Sequence, residues 1–105
     1  MSAHCDALPE ELLPGMVAAQ RLRDAVMARA VVEALAQTGG PIVLIAGNGH
    51  AHRDWGVPAV LAQAVPELAV LSVGQLEPAP EAPPPYGHWL VTEPAPRDDP
   101  CVAFR

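Results

Sequence analysis

Hydrophobic and polar positions divide the chain into a long helix-like stretch, a pair of short apolar runs around a short helix, and a proline-rich remainder. Residues 14–37 are dense in Ala, Leu, Met, Arg, Gln and Glu. These are good helix formers and predict one long helix, stopped by Thr38-Gly39-Gly40-Pro41. At about 100° per residue, Arg29, Glu33 and Gln37 stack on one side, expected to face solvent. Met16, Met27, Val31 and Ala34 lie roughly opposite and form the expected core face. Gln20 falls near the middle of that core face, flanked by Arg23 and Asp24. Leu22 and Val26 fall toward the solvent side, which implies that this side is partly covered or forms an interface.

Residues 42–46, Ile-Val-Leu-Ile-Ala, have no polar member. A run of this kind predicts a strand covered on both faces, as parallel strands are in α/β layers. Residues 57–64, with Pro58 in the first turn, predict a short helix ended by Pro66, and residues 69–73 predict the next strand. Strand, helix and strand make a βαβ unit with a right-handed crossover. Residues 76–87 carry Pro78, Pro80, Pro83, Pro84 and Pro85 and predict an extended surface loop within the domain. Residues 88–92 predict a last strand, followed by a Pro- and Asp-rich tail. Before the long helix, Pro9-Glu10-Glu11 predicts a helical turn. The expected fold class is α/β: a long helix packed on a small, mainly parallel sheet with a short crossover helix.

With 105 residues, the chain makes at most one small domain, residues 1–105, and forms a partial one if it is a piece of something larger. Half the residues are hydrophobic but only 4% are aromatic, so the core is built from Ala, Val and Leu. A net charge of −6 argues against a nucleic-acid partner, which requires a basic face. No apolar run approaches the roughly 20 residues of a transmembrane helix, and the N-terminus shows no signal peptide. Cys5 and Cys101 lie near opposite ends without a CxxC spacing, so a structural zinc site is not expected. They are either two ordinary thiols or a disulfide joining the ends in an oxidising compartment.

The densest chemistry follows the run 42–46. Gly47-Asn48-Gly49-His50 forms a glycine-flexed turn at its carboxyl end, followed by His52-Arg53-Asp54. Open α/β sheets bind ligands at this end of their strands. His50 could ligate a metal or haem iron or act as an acid or base; it could equally be a turn histidine bonded to the backbone. His52 is a weaker candidate ligand. Asp54 could orient a histidine through its second ring nitrogen, and Arg53 could pair with a carboxylate such as a haem propionate. Both could instead cap the following helix. Across from the turn, Gln20, Arg23 and Asp24 need partners on their inward side. Either Arg23 and Asp24 pair with neighbours for structural reasons or they line a site beneath the helix. The Gly-Asn-Gly stretch lacks the Lys-Ser/Thr of a P-loop and the third glycine of a dinucleotide fingerprint. Tyr86, the only tyrosine, reads as an exposed loop residue. His4 and His88 read as surface residues, and Trp55 and Trp89 as packing residues.

Two stretches carry a family resemblance. Ala19-Gln20-Arg21-Leu22-Arg23-Asp24-Ala25-Val26-Met27-Ala28 resembles the AQxxRDxxMA helix of the ChaN-like haem-binding uptake family. Val43 to His50, followed by Arg53-Asp54-Trp55-Gly56-Val57-Pro58, resembles that family's GNGHxxxDxGVP segment. Leu8-Pro9-Glu10-Glu11 and Asp99-Pro100-Cys101 also fit. The family belongs to the Tiki superfamily, alongside erythromycin-esterase-like and TraB-like proteins. Its full domains are larger, with a Gly-Glu-x-His motif in an N-terminal half and a second, Gly-x-x-His motif, which here is Gly47 to His50. The resemblance thus implies a C-terminal half-domain. It also implies haem as cofactor and ligand, a homodimer or a complementary N-terminal half as partner, and a periplasmic or membrane-anchored lipoprotein.

Under that resemblance, Gln20, Arg23 and Asp24 line a site on one side, with Gly47, Asn48, Gly49 and His50 on the other and Arg53 and Asp54 nearby. His50 is the first choice of ligand for haem iron or a metal. The expected function is haem binding linked to bacterial iron or haem uptake. The alternatives are a hydrolase of the same superfamily using a divalent metal to activate water, or an inactive fragment that needs a partner half.

Overall fold

The structure is a computed structural model and describes residues 9–104. Within it, the elements follow local chemistry closely. A 3-10 turn, Glu10–Leu12, leads into helix α1, Leu13–Thr38, which carries proline in its first turn. Pro suits that position because its missing N–H has no intrahelical acceptor there. At the other end Gly39 adopts φ 79°, and its N–H donates to the Leu35 carbonyl at 2.8 Å. The Thr38 hydroxyl donates to the Ala34 carbonyl at 2.8 Å, so the last carbonyls of α1 are satisfied. A single helical turn α2, Asn48–Ala51, and helix α3, Val57–Ala64, follow. Strands β1, Val73–Leu76, and β2, His88–Val91, pair in parallel, with Val73 opposite His88 and Leu76 opposite Val91.

The fold is thus a small α/β arrangement, but its layers differ from expectation. Helix α1 packs against α3 rather than across the sheet. Ala28 of α1 and Val57 and Leu61 of α3 form the buried core, with Met27, Val31, Val32, Val60 and Leu68 around them. The two paired strands are joined by the proline-rich loop, not by a helix. The run 42–46 is extended but pairs with no strand among the described residues. One face is open, with Val43 82% and Ile45 91% exposed, and the other is only partly covered, with Leu44 42% exposed and Ile42 half-buried. Residues 69–72 likewise precede β1 without entering it, so the expected βαβ pairing is absent. The physical reason is that an apolar run specifies extended backbone locally, whereas its pairing and covering must come from elsewhere. Arg29 and Glu33 do form an exposed ion pair on the solvent side of α1, at 3.0 Å. Leu22 and Val26 are exposed beside them at 65% and 59%. Cys5 and His4 lie outside the described residues, and so does the Cys5–Cys101 pairing raised from the sequence.

Candidate ligand-binding site

The turn after residues 42–46 folds as α2, and this brings His50 beneath α1. Asp24 is 1% exposed and, among the described residues, the one large side chain that is fully buried. Its Oδ1 lies 2.6 Å from His50 Nδ1. A carboxylate accepts here, so Nδ1 carries a proton, and in the neutral ring Nε2 presents a lone pair. The Gln20 amide nitrogen lies 3.1 Å from Nδ1 and 3.3 Å from Nε2. Distances this similar place the amide over the ring rather than in line with either lone pair. Gln20 therefore fixes the tilt of the imidazole and leaves the in-plane direction of Nε2 open. Two residues of one helix, one turn apart, thus orient a histidine supplied by another segment.

Asn48, at the head of α2, is also held. Its side-chain amide donates to the Gln75 carbonyl at 2.6 Å, and its Oδ1 accepts from the Gln75 N–H at 3.3 Å. Gly49 passes close to Gln20, where an added Cβ would lie 3.6 Å from the amide nitrogen. Gly56 is packed harder: a Cβ there would meet the His50 carbonyl carbon and the His52 oxygen at 2.8 Å.

Two openings flank His50. A cleft of about 640 Å³ runs between residues 41–46 and 68–73, floored by Val31, Leu35, Val57 and Leu61. A shallower hollow of about 560 Å³ is bordered by Leu22, Arg23, Val26, Ile45, Gly47 and His50. The first is within the size range of small-molecule and cofactor sites and is mainly apolar.

The sequence-predicted residues are distributed unevenly. His50, Asp24, Gln20, Asn48 and Gly49 come together. Arg23 is exposed at the rim of the hollow, on the outward side of Asp24 rather than matching it inward. Arg53 and Asp54 face solvent and approach each other at 3.4 Å. The carboxylate that reaches a ligand-type histidine is therefore Asp24, not Asp54. Nor does either residue cap α3, whose N-cap is Gly56 without a side-chain hydrogen bond. The buried His52 ring stacks on Trp55 at 3.2 Å, and its Nδ1 accepts the Asp54 N–H at 3.0 Å. One His52 nitrogen is thus committed to the turn, away from the role of a metal ligand. Among the described residues no group of three or more His, Cys, Asp and Glu is placed to hold a metal ion.

Tyr86 overturns its sequence reading. It is 8% exposed, and its hydroxyl donates to the Asn48 carbonyl at 3.2 Å. The proline-rich composition around it masked this role. The only sequence signal was that it is the chain's one phenol in a stretch that otherwise lacks hydrogen-bond donors.

These features define an α/β protein in which a buried carboxylate orients a histidine at the mouth of an apolar cleft. The chain belongs to the family described as haem-binding uptake, Tiki superfamily, ChaN, whose sequence profile matches residues 1–61. The matched part spans α1, α2 and most of α3, and with them every residue from Gln20 to Asp54 considered above. Among curated proteins and among solved structures, nothing matches the chain.

Proposed function

We propose that this chain supplies the histidine side of a haem-binding site serving bacterial haem or iron uptake. The observation that carries the reading is the Asp24–His50 contact at 2.6 Å, which holds one ring nitrogen of a histidine that lines an apolar cleft. Neutral imidazole held through its second nitrogen by a carboxylate would be a suitable nitrogen donor to iron. The cleft offers apolar walls for a macrocycle, and Arg23 at its neighbouring rim offers a cation for a carboxylate. Haem would supply the iron chemistry; the chain's own residues bind and orient. By its family, the setting proposed is the periplasm or a membrane-anchored lipoprotein.

The same reading includes a partner that completes the site, either a second copy or an N-terminal half-domain. The chain exposes 8010 Å², whereas a folded protein of 11.0 kDa exposes about 5,600 Å². Its radius of gyration is 16.0 Å, against about 13 Å for a compact chain of this length. The excess surface is of the size that permanent interfaces bury. The uncovered apolar residues Val43, Ile45 and Leu71 border the cleft itself.

A second reading is favoured by the same dyad. A buried carboxylate orienting a histidine is also the arrangement of a general base, as a hydrolase of this superfamily would need. A divalent metal in that reading would require ligands beyond those the described residues bring together.

Titration of the purified protein with haemin separates the two. Haem binding predicts a Soret shift that saturates in wild type and is lost in His50→Ala. An equal shift in both proteins removes His50 as the ligand. Hydrolysis of an ester or peptide library that depends on His50, without a Soret shift, would favour the enzyme.

A further inference from the structure

We infer that Tyr86 is a positioning residue for His50, acting through the turn that carries it. Helix α2 has four residues and no side-chain cap at its N-terminus. One helical turn has no stability of its own, so the place of His50 depends on braces from outside. In a helix this short, the Asn48 carbonyl has at most one backbone donor within the turn, the N–H of the C-cap residue His52. The Tyr86 hydroxyl donates to that carbonyl from outside the turn at 3.2 Å. Asn48 is held on its other side by Gln75 of β1, so the head of the turn is fastened at both its side chain and its main chain.

The phenol is itself placed with little freedom. Its ring lies on Gly74 of β1, where an added Cβ would fall within 2.8 Å of the ring atoms. It meets His52 edge-on at 6.1 Å. The backbone beside it is fastened at two points. The Arg53 N–H donates to the Pro85 carbonyl at 2.8 Å, and the Gly87 N–H donates to the Ser72 hydroxyl at 2.8 Å. The end of the proline-rich loop is therefore a strap across the back of the site. It joins the residue after His52 to the residue before β1, with the hydroxyl pointing at the helical turn between them. Because that hydroxyl is committed to the Asn48 carbonyl, Tyr86 acts on the histidine through the backbone and not by touching a ligand.

Tyr86→Phe removes the hydroxyl and keeps the ring. Long-range proton–nitrogen spectra of the ligand-free protein, with His50→Ala to assign the signals, report which His50 nitrogen carries the proton. Wild type is expected to show the single Nδ1–H form. Tyr86→Phe is expected to show averaging between the two tautomers as the turn shifts relative to Asp24. Gly74→Ala, which displaces the ring with its hydroxyl present, is expected to give the same change. Haemin affinity, an arm that rests on the haem reading above, is expected to fall about tenfold in Tyr86→Phe. An unchanged His50 nitrogen pattern in Tyr86→Phe overturns the inference. So does a lowered melting temperature with that pattern intact, since it would make Tyr86 a stabilising residue only. The ligand-free spectra decide the matter even if wild type binds no haemin.

Discussion

Asp24 and His50 stand 26 positions apart in the chain, yet Oδ1 and Nδ1 are 2.6 Å apart in space. Gln20, one turn earlier on α1, meets the same ring at 3.1 and 3.3 Å. Because Asp24 is enclosed and the histidine is not, in the proposed site the carboxylate would orient the imidazole and the imidazole would meet the ligand. Asp24→Asn keeps the volume but lets the ring choose either tautomer. Haemin affinity is expected to fall about 10- to 100-fold, measured by the same Soret titration. Asp24→Ala also leaves the His50 N–H without its acceptor and costs about 1–3 kcal/mol of stability in urea unfolding. Unchanged affinity in Asp24→Asn would remove the orienting role.

Gly56 tests the tightness of the chain's path around the histidines. An alanine there places a methyl against the His50 carbonyl and the His52 oxygen. Backbone on both sides has little room to yield, so Gly56→Ala is expected to cost about 1–3 kcal/mol, read from chemical unfolding. A neutral result would show that the 47–56 turn is looser than its packing indicates.

Glu77 governs the tail. The Ala95 N–H and the Arg97 guanidinium both bind its carboxylate, at 2.8 and 2.9 Å, and hold its pKa below the ordinary 4.5. A lowered folded-state pKa means stability that is present above the unfolded value and lost as pH falls through the folded one. The protection factor of the Ala95 amide, its exchange rate relative to an unstructured amide at the same pH, is therefore expected to be raised at neutral pH and to fall in acid, below pH 4.5. In Glu77→Gln that protection is expected to be weak at every pH. The carboxylate is solvent-facing, so the effect belongs to the tail and not to global stability.

The uncovered run 42–46 bears on the proposed partner. Val43→Thr with Ile45→Thr keeps β-branched side chains while removing apolar surface. Light scattering is expected to show less self-association for this pair than for wild type, with an unchanged circular-dichroism spectrum. Equal association in both would place the contact surface elsewhere.

Much of the local structure was legible because its causes are local. Pro14 and the Thr38-Gly39-Gly40 stop bound α1 to within a residue, and Pro58 starts α3 where it was expected. The run 42–46 was legible as extended backbone but not as an uncovered one. Burial depends on neighbours, and its neighbours among the described residues cover it only in part. The helical wheel put Asp24 on the inward side, yet it could not choose between Asp24 and Asp54 as the partner of a histidine. Arg23, adjacent in sequence, turns outward because successive helical positions differ by about 100°. Tyr86 was hidden altogether: prolines around it indicate surface, whereas the bare face of Gly74 and the carbonyl of Asn48 draw it in.

By itself, then, the sequence determined the helices, their stops, the family motifs and the placing of His50 after an apolar run, since each depends on residues a few positions apart. The tertiary structure alone decided which carboxylate meets that histidine, which phenol braces its turn and which apolar run stays uncovered. Those outcomes depend on distances between segments 26 to 38 residues apart, set by packing and not by any local preference.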